Sequence, residues 1–225
     1  MSSGSQLNLW QGKQPNCPFT SLLDEGDTHC LRDPLRPGYD TISCDHPHLP
    51  LWLASVRGVG FLDVVARPLS PIVLPSNYIP MIGRDGEKLF QQVEIPIVAI
   101  SLNQLMSPKD LRLPTDVRKK FGIPKETKII LLNYAKDGPI ERMWPKRKEI
   151  FKRIADLQFD LVTGVDYSIW HDQEHAEHLI NMKRNLLTFE EFQALGVPTI
   201  PHMYWYGHRD LERWAEWINH NKETW

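Results

Sequence analysis

Short apolar runs alternate with amphipathic stretches from residue 57 to the end of the chain. Four of these runs predict strands because they are short, apolar and rich in β-branched residues: "VEIPIVAISLN", "TKIILLNYA", "FDLVTGVD" and "GVPTIPHMYW". Two earlier runs that proline interrupts, "GFLDVVARPL" and "PIVLPSNYIPMI", fit either strands or extended segments. Strands that are apolar on both faces and alternate with helices are typical of a parallel sheet.

The segments between these runs predict helices. The stretch "WPKRKEIFKRIADLQ" spaces its apolar residues as one face of a helix, and these residues are Ile150, Phe151, Ile154 and Leu157. Thr188 opens "TFEE", which fits a capping box, and Gly196 is placed to end that helix. The last helix, about residues 208–220, is expected to bury the apolar residues Leu211, Trp214 and Ile218.

These elements predict an α/β fold, with a parallel sheet and covering helices in the manner of a TIM barrel. We count about five strands, fewer than a closed (β/α) barrel contains, so we expect a partial barrel or a sheet that a partner chain completes. This barrel-like domain is expected to span residues 57–225. Residues 1–56 lack periodicity and are rich in proline, glycine and aspartate, which predicts an irregular N-terminal segment.

Composition narrows the classes of function. The chain has 225 residues, 41% of them hydrophobic, and a formal net charge of −2. The hydrophobic fraction predicts a sizeable core. The nearly balanced net charge gives no electrostatic reason to expect nucleic acid or an anionic membrane as a partner. No apolar run approaches the roughly 20 residues that span a bilayer, and "MSSGSQLNLW" lacks the features of a signal peptide. We expect a cytoplasmic protein without a membrane partner, and an odd number of cysteines fits a reducing compartment.

The N-terminal segment contains all of the cysteines. Cys17, Cys30 and Cys44 could share a structural zinc ion with a nearby histidine such as His46, because thiolates and imidazoles are the ligands that zinc prefers. The same three thiolates could also hold an iron–sulfur cluster. The spacing lacks the paired C-x-x-C motif of most zinc sites, so the alternative is three small buried apolar side chains.

A second group of residues that could bind a metal ion follows the third predicted strand. The stretch "HDQEH", residues 171–175, fits the H-x-x-E-H motif of inverted zinc proteases, in which two histidines and a glutamate share a helix face. The alternative is that this stretch is the polar start of a helix, where an acidic side chain in the first turn is stabilised by the helix macrodipole. No acidic residue further along the chain stands out as the remaining zinc ligand, and this favours the helix start.

Polar residues follow each predicted strand. In parallel α/β folds the ligand binds at the carboxyl ends of the strands, so we expect these residues to form one site. Asp166 and His202 are the candidate catalytic pair, since a carboxylate beside an imidazole suits acid–base chemistry. Asn103 and Asn133 are candidates to orient the substrate through paired donor and acceptor contacts. The remaining candidate substrate contacts are Tyr134, Tyr167, Ser168, Trp170, Arg184, Tyr204 and Trp205.

Three stretches, "FDLVTGVDYSIW", "NMKRNLL" and "LGVPTIPHMYW", together resemble a family catalogued only as a domain of unknown function, frequent in bacterial and mobile-element genomes. The resemblance covers roughly the C-terminal third of the chain. The matching positions are Asp166, Tyr167 and Ser168, then Arg184 and Asn185, then Pro201 and Trp205. The chain departs from the family pattern at His202 and Tyr204. The resemblance implies the barrel-like fold and an important role for Asp166, and it implies no particular reaction.

Two hypotheses of function follow. The first is an enzyme of (β/α)-barrel type that acts on a nucleoside, nucleotide or nucleic-acid base, by glycosyl transfer or hydrolysis. The second is a non-catalytic subunit of a mobile-element or defence assembly, in which exposed tryptophans bind a protein or a nucleic-acid strand.

Elemental analysis and an absorption spectrum of protein purified without oxygen test the cysteine site. The metal hypothesis predicts stoichiometric zinc, or iron with sulfide, that is lost in the Cys30→Ala variant. Protein that carries none of these elements would leave the three cysteines as packing residues.

Overall fold

The structure is a computed structural model that describes residues 49–68, 73–83, 86–170 and 175–224. The described residues divide into two compact units. The first, here called the helical unit, contains residues 49–63, 168–184 and 203–220. The second, here called the sheet unit, contains residues 64–167, 185–202 and 221–224.

The sheet unit is built on four parallel strands whose order in the sheet is their order in the sequence. The strands are β1 (Ile97–Ser101), β2 (Lys128–Leu132), β3 (Leu161–Thr163) and β4 (Thr199–Ile200). All four predicted strands are therefore confirmed, and β1 and β3 are buried along their whole length. Burial on both faces explains why these runs are continuously apolar.

A further extended segment lies beside β1. Met81 forms a single parallel bridge with Ala99, and the neighbouring backbone bonds are Ile82 N–H to Ala99 O at 2.9 Å and Ala99 N–H to Pro80 O at 2.9 Å. The run "PIVLPSNYIPMI" thus ends in an extended segment that continues the sheet beyond β1.

Eight α-helices alternate with the strands in the described part of the chain. They are α1 (Leu49–Ser55), α2 (Gly86–Phe90), α3 (Leu102–Leu105), α4 (Val117–Phe121), α5 (Asp137–Met143), α6 (Arg147–Asp156), α7 (His175–Ala194) and α8 (His208–His220). Short 3-10 turns follow α5 at Trp144–Lys146 and α8 at Lys222–Thr224. None of the helices in the described ranges is long and apolar enough to cross a bilayer.

The α/β class is confirmed by the helices and the parallel sheet. A sheet whose strands follow one another in sequence order is typical of a (β/α) barrel. In a doubly wound sheet the strand order changes from one side of the first strand to the other, although the strands stay parallel. Closure into a barrel stays a prediction.

The core of the sheet unit contains apolar side chains of the strands and, separately, aromatic side chains packed between two helices. Ile97, Ala99, Ile130 and Leu161 form an apolar cluster, and the register pairs Ala99 with Ile130 and Ile130 with Leu161. Away from the sheet, the rings of Phe151 on α6 and Phe192 on α7 stack with centroids 4.1 Å apart. The predicted buried face of α6 is confirmed for Ile150, Phe151 and Ile154.

Two predictions about the last helices are wrong in part. Thr188 lies inside α7 rather than at a helix start, although Gly196 does follow the end of α7 with a φ of +75°. On α8, Leu211 and Ile218 are exposed, and the buried residues are Asp210, Trp214 and Trp217. The two indoles pack edge to face with centroids 5.9 Å apart, and burying both removes more apolar area from water than burying Leu211 and Ile218 would.

Removal of the Phe151 ring tests the packing between α6 and α7. Phe151 is fully buried, so Phe151→Ala should lower the free energy of unfolding by about 3–5 kcal/mol in urea denaturation. The matched control is Lys152→Ala at the neighbouring exposed position, which should change that free energy by about 0.5 kcal/mol or less. Equal effects of the two variants would contradict the packing.

Candidate functional site

The carboxyl edge of the sheet brings together predicted site residues from all four strands. Asn103 lies in α3 directly after β1, and Asn133 and Tyr134 follow β2. Asp166 follows β3, and His202 follows β4. Because the strands are parallel and neighbours in the sheet, these residues share one edge of the sheet unit.

Backbone hydrogen bonds connect the strand ends to one another. The Asn103 N–H donates to the Tyr134 carbonyl at 3.2 Å, and the Asp166 N–H donates to the Asn133 carbonyl at 2.9 Å. The segment after β2 therefore binds both the segment after β1 and the backbone of Asp166. Positions fixed by backbone bonds are what a site needs in order to hold its geometry.

Helix α7 holds the segment that carries Asp166 from the other side. The Thr188 hydroxyl accepts the Val165 N–H at 2.8 Å. The Asn185 side chain accepts the Tyr167 N–H at 2.7 Å and donates to the Tyr167 carbonyl at 3.2 Å. Asp166 lies between these two anchored residues, so its Cα has little freedom to move.

Gly164 permits this close approach. A Cβ at this position would lie 3.0 Å from the Asn185 carbonyl oxygen, 3.4 Å from the Thr188 hydroxyl and 3.5 Å from the His202 nitrogen. The Gly164 N–H also donates to the Ile200 carbonyl at 2.8 Å, which ties the end of β3 to β4. A side chain here would push the Asn185 carbonyl of α7 away from the segment that carries Asp166.

Asn133 has a structural role at this edge. It is fully buried, its Nδ2 donates to the Thr163 carbonyl at 2.5 Å, and its N–H donates to the Thr163 hydroxyl at 2.8 Å. No donor among the described residues reaches its Oδ1, which is also buried. The donor group expected to orient a substrate is thus used to join the ends of β2 and β3, whereas Asn103 is exposed.

Asp166 and His202 act on each other electrostatically. Burial lowers the pKa of the His202 imidazole, and the negative charge of Asp166 raises it by less, so that the pKa lies below its usual range. Both side chains are half-buried, which leaves each of them partly open to solvent. A neutral imidazole can accept a proton at neutral pH, and the neighbouring carboxylate would stabilise the cation that results.

The two predicted tyrosine contacts of the sheet unit differ in environment. Tyr167 is 2% exposed, its hydroxyl donates to the Ile140 carbonyl at 3.5 Å, and its ring packs edge to face on Trp144 at 5.4 Å. Tyr167 is therefore part of the core. Tyr134 is half-buried, and its hydroxyl donates to the Met81 sulfur at 2.7 Å.

Five predicted substrate contacts belong to the helical unit: Ser168, Trp170, Arg184, Tyr204 and Trp205. Trp170 is 52% exposed and Trp205 is 56% exposed. Asn181 connects two of the others, because its Nδ2 donates to the Ser168 carbonyl at 3.1 Å and its Oδ1 accepts from Arg184 at 3.3 Å. The Tyr204 carbonyl accepts the Trp214 indole N–H at 2.6 Å.

The helical unit also buries a carboxylate beside a histidine. His175 and Asp210 are both fully buried, with 3.6 Å between Nε2 and Oδ1. Burial raises the pKa of Asp210, but the nearby His175 imidazole and the hydrogen bonds from the Tyr206 and Gly207 N–H groups lower it by more, so that the pKa lies below its usual range. Arg213 adds a contact at 2.7 Å. Asp210 therefore stabilises the start of α8 as an anion.

The predicted metal ligands cannot be placed in the fold. Cys17, Cys30, Cys44 and His46 lie outside the described residues, as do the first four residues of "HDQEH". Its last residue, His175, is the histidine buried beside Asp210. Within the described part of the chain, no three or more His, Cys, Asp or Glu residues are grouped to hold a metal ion.

The sequence alone did not predict how the backbone around Asp166 is supported. It indicated Asn185 only as a position of the resemblance and Thr188 only as a helix cap, whereas their side chains bind the backbone on either side of Asp166, and Gly164 allows this approach. The glycine at the end of an apolar strand was the one local signal, since it marks a close approach of backbones.

Comparisons of the chain with protein-family models, with curated proteins and with solved structures give no match. The resemblance to the family of unknown function therefore stays a prediction, and the site is argued from its geometry.

Addition of one methyl group tests the close packing at Gly164. Gly164→Ala should lower the free energy of unfolding by about 1–3 kcal/mol, because the Asn185 carbonyl oxygen, 3.0 Å from the added Cβ, must move away. Gly138→Ala is the matched control: the nearest atom to its Cβ is the flexible Arg142 side chain at 3.5 Å, and alanine favours helix α5. Urea denaturation should therefore show no loss for Gly138→Ala, and a similar lack of loss for Gly164→Ala would contradict the packing.

Proposed function

We propose that the protein is an enzyme that acts on a nucleoside, nucleotide or nucleic-acid base, with Asp166 and His202 as its acid–base pair. The observation that carries this proposal is their position: the two side chains follow neighbouring parallel strands, β3 and β4, at the edge where α/β folds bind ligands. The backbone around Asp166 is fixed by β2 and α7, as a catalytic group requires.

The pair suits hydrolysis or transfer at a glycosidic bond. Neutral His202 would remove a proton from water as the water oxygen forms a bond to the anomeric carbon. The bond from that carbon to the base would break, and the base would leave with the electron pair and take up a proton. Asp166 would stabilise both the imidazolium and the positive charge that develops on the sugar. Exposed Asn103 would orient the substrate through its amide.

Three further expectations belong to this proposal. A structural zinc ion or iron–sulfur cluster at Cys17, Cys30, Cys44 and His46 would order the N-terminal segment. A reducing cytoplasm would suit the odd number of cysteines. A partner chain could extend the sheet at the segment ending in Met81, where Val73 and Tyr78 are each 76% exposed.

The second candidate function is a non-catalytic subunit of a mobile-element or defence assembly that binds a protein or a nucleic-acid strand. The exposure of Trp170 and Trp205 in the helical unit favours it, because exposed indoles stack on bases and anchor protein interfaces. Under this alternative, changes at Asp166 would leave the function intact.

Base release from a panel of nucleosides, nucleotides and short oligonucleotides, measured by chromatography, tests the proposal. Asp166→Asn and His202→Gln should each lower turnover by at least about 100-fold, since each removes a member of the acid–base pair. The matched control is His208→Gln, an exposed histidine on α8, which should retain turnover. Unchanged turnover in Asp166→Asn would contradict the catalytic assignment.

The pH profile gives an independent readout of His202. A general base must be neutral, so turnover should fall as the pH drops through the pKa of His202. Because burial lowers that pKa, the acidic limb should lie below the value of about 6.5 of an ordinary histidine.

A further inference from the structure

The sheet unit contains a cavity of about 850 Å³ at the end of β1. Asn103 and Gln104, which follow β1 in α3, form part of its wall. The volume lies within the range of about 300–1,000 Å³ that is typical of small-molecule sites.

The charged side chains that line this cavity are all basic among the described residues. Four basic side chains line it, Arg112, Lys120, Lys136 and Arg142, and among the described residues no aspartate or glutamate does. The whole chain carries 26 basic and 28 acidic residues, so the excess is local to this cavity. A concave wall with one sign of charge concentrates its field and attracts ions of opposite charge.

Two of the cations, Lys120 and Arg142, are fixed by hydrogen bonds to backbone carbonyls. Lys120 Nζ donates to the Gln104 carbonyl at 2.9 Å and to the Leu105 carbonyl at 2.8 Å. Arg142 Nη2 donates to the Pro108 carbonyl at 2.5 Å. These carbonyls carry no net charge, so the three bonds hold the two cations in place without themselves supplying a counter-charge.

The other two cations differ from each other. Arg112 lies 3.5 Å from the Asp110 carboxylate, which offsets part of its charge. Lys136 is exposed and stands directly before α5. Lys136 can therefore be changed with the least effect on the fold, whereas Lys120 and Arg142 also brace the cavity wall.

We propose that this cavity binds the phosphate group of a small phosphomonoester. The cluster presents a guanidinium, which contacts two phosphate oxygens at once, and ammonium groups that act as point charges. The Thr115 hydroxyl and the Asn103 amide add uncharged donors to the same wall.

The rest of the ligand is a nucleoside, and this part of the inference rests on the proposed function. Asp166 follows β3, which lies two strands from β1. Neighbouring strands are about 4.8 Å apart, so the two strand ends are separated by about 10 Å. One mononucleotide spans this distance, with its phosphate in the cavity and its glycosidic bond near Asp166.

Titration calorimetry with inorganic phosphate and with a mononucleotide tests the inference on the full chain. The wild-type protein should bind both, and Lys136→Glu should weaken both by at least about tenfold, because it replaces an attraction to the anion by a repulsion. The neutral variant Lys136→Gln should have a smaller effect in the same direction. The matched control is Lys152→Glu, the same charge change at an exposed position of α6 outside the cavity, which should leave the affinities within about twofold.

Two results would overturn the inference. Equal effects of Lys136→Glu and Lys152→Glu, or no binding of either probe to the wild-type protein, would show that the cavity is not a phosphate site. Binding of a short oligonucleotide without binding of the mononucleotide would show that the cations contact a nucleic-acid strand instead.

The Asp166→Asn variant separates this inference from the proposed function. It should bind phosphate and the mononucleotide as the wild type does and lose only turnover. Phosphate binding that depends on Lys136, together with full turnover in Asp166→Asn, would retain the cavity site and reject the proposed catalytic pair.

Discussion

The close approach of backbones at Gly164 is the constraint on which the candidate site depends. A Cβ on Gly164 would lie 3.0 Å from the Asn185 carbonyl oxygen of α7, a close contact, and 3.5 Å from the His202 nitrogen after β4. This contact lets α7 bind the segment after β3 through Thr188 and Asn185 while β4 runs alongside. Asp166 and His202 follow neighbouring strands, so the position of one relative to the other depends on the pairing of β3 with β4.

Two parts of the carboxyl edge differ in their charged groups. At the ends of β3 and β4 the charge of Asp166 acts on the His202 imidazole, whose pKa burial lowers, and such a pair suits movement of a proton. At the end of β1 the charged side chains that line the cavity are all basic among the described residues, which suits a bound anion. A parallel sheet with sequential strand order places both parts on one edge, so the proposed mononucleotide would contact both.

Sequence predicted those parts of the structure that depend on local pattern. The four strands, the buried face that includes Phe151, and the positions of Asp166 and His202 at strand ends all follow from periodicity. Thr188 was misread as a helix start, because the local capping motif cannot reveal that its hydroxyl binds the distant Val165 N–H. The cationic cavity was not predicted either, since its basic residues are spread over a long stretch of sequence and meet only in the folded sheet unit.

An NMR titration of the His202 imidazole in the wild type and in Asp166→Asn tests the proposed pair most directly. We expect a wild-type pKa below that of an ordinary histidine, because burial disfavours the imidazolium. We expect a still lower pKa in Asp166→Asn, because the carboxylate charge that favours the imidazolium is removed. An ordinary pKa that is the same in both proteins would show that the two side chains do not form a pair.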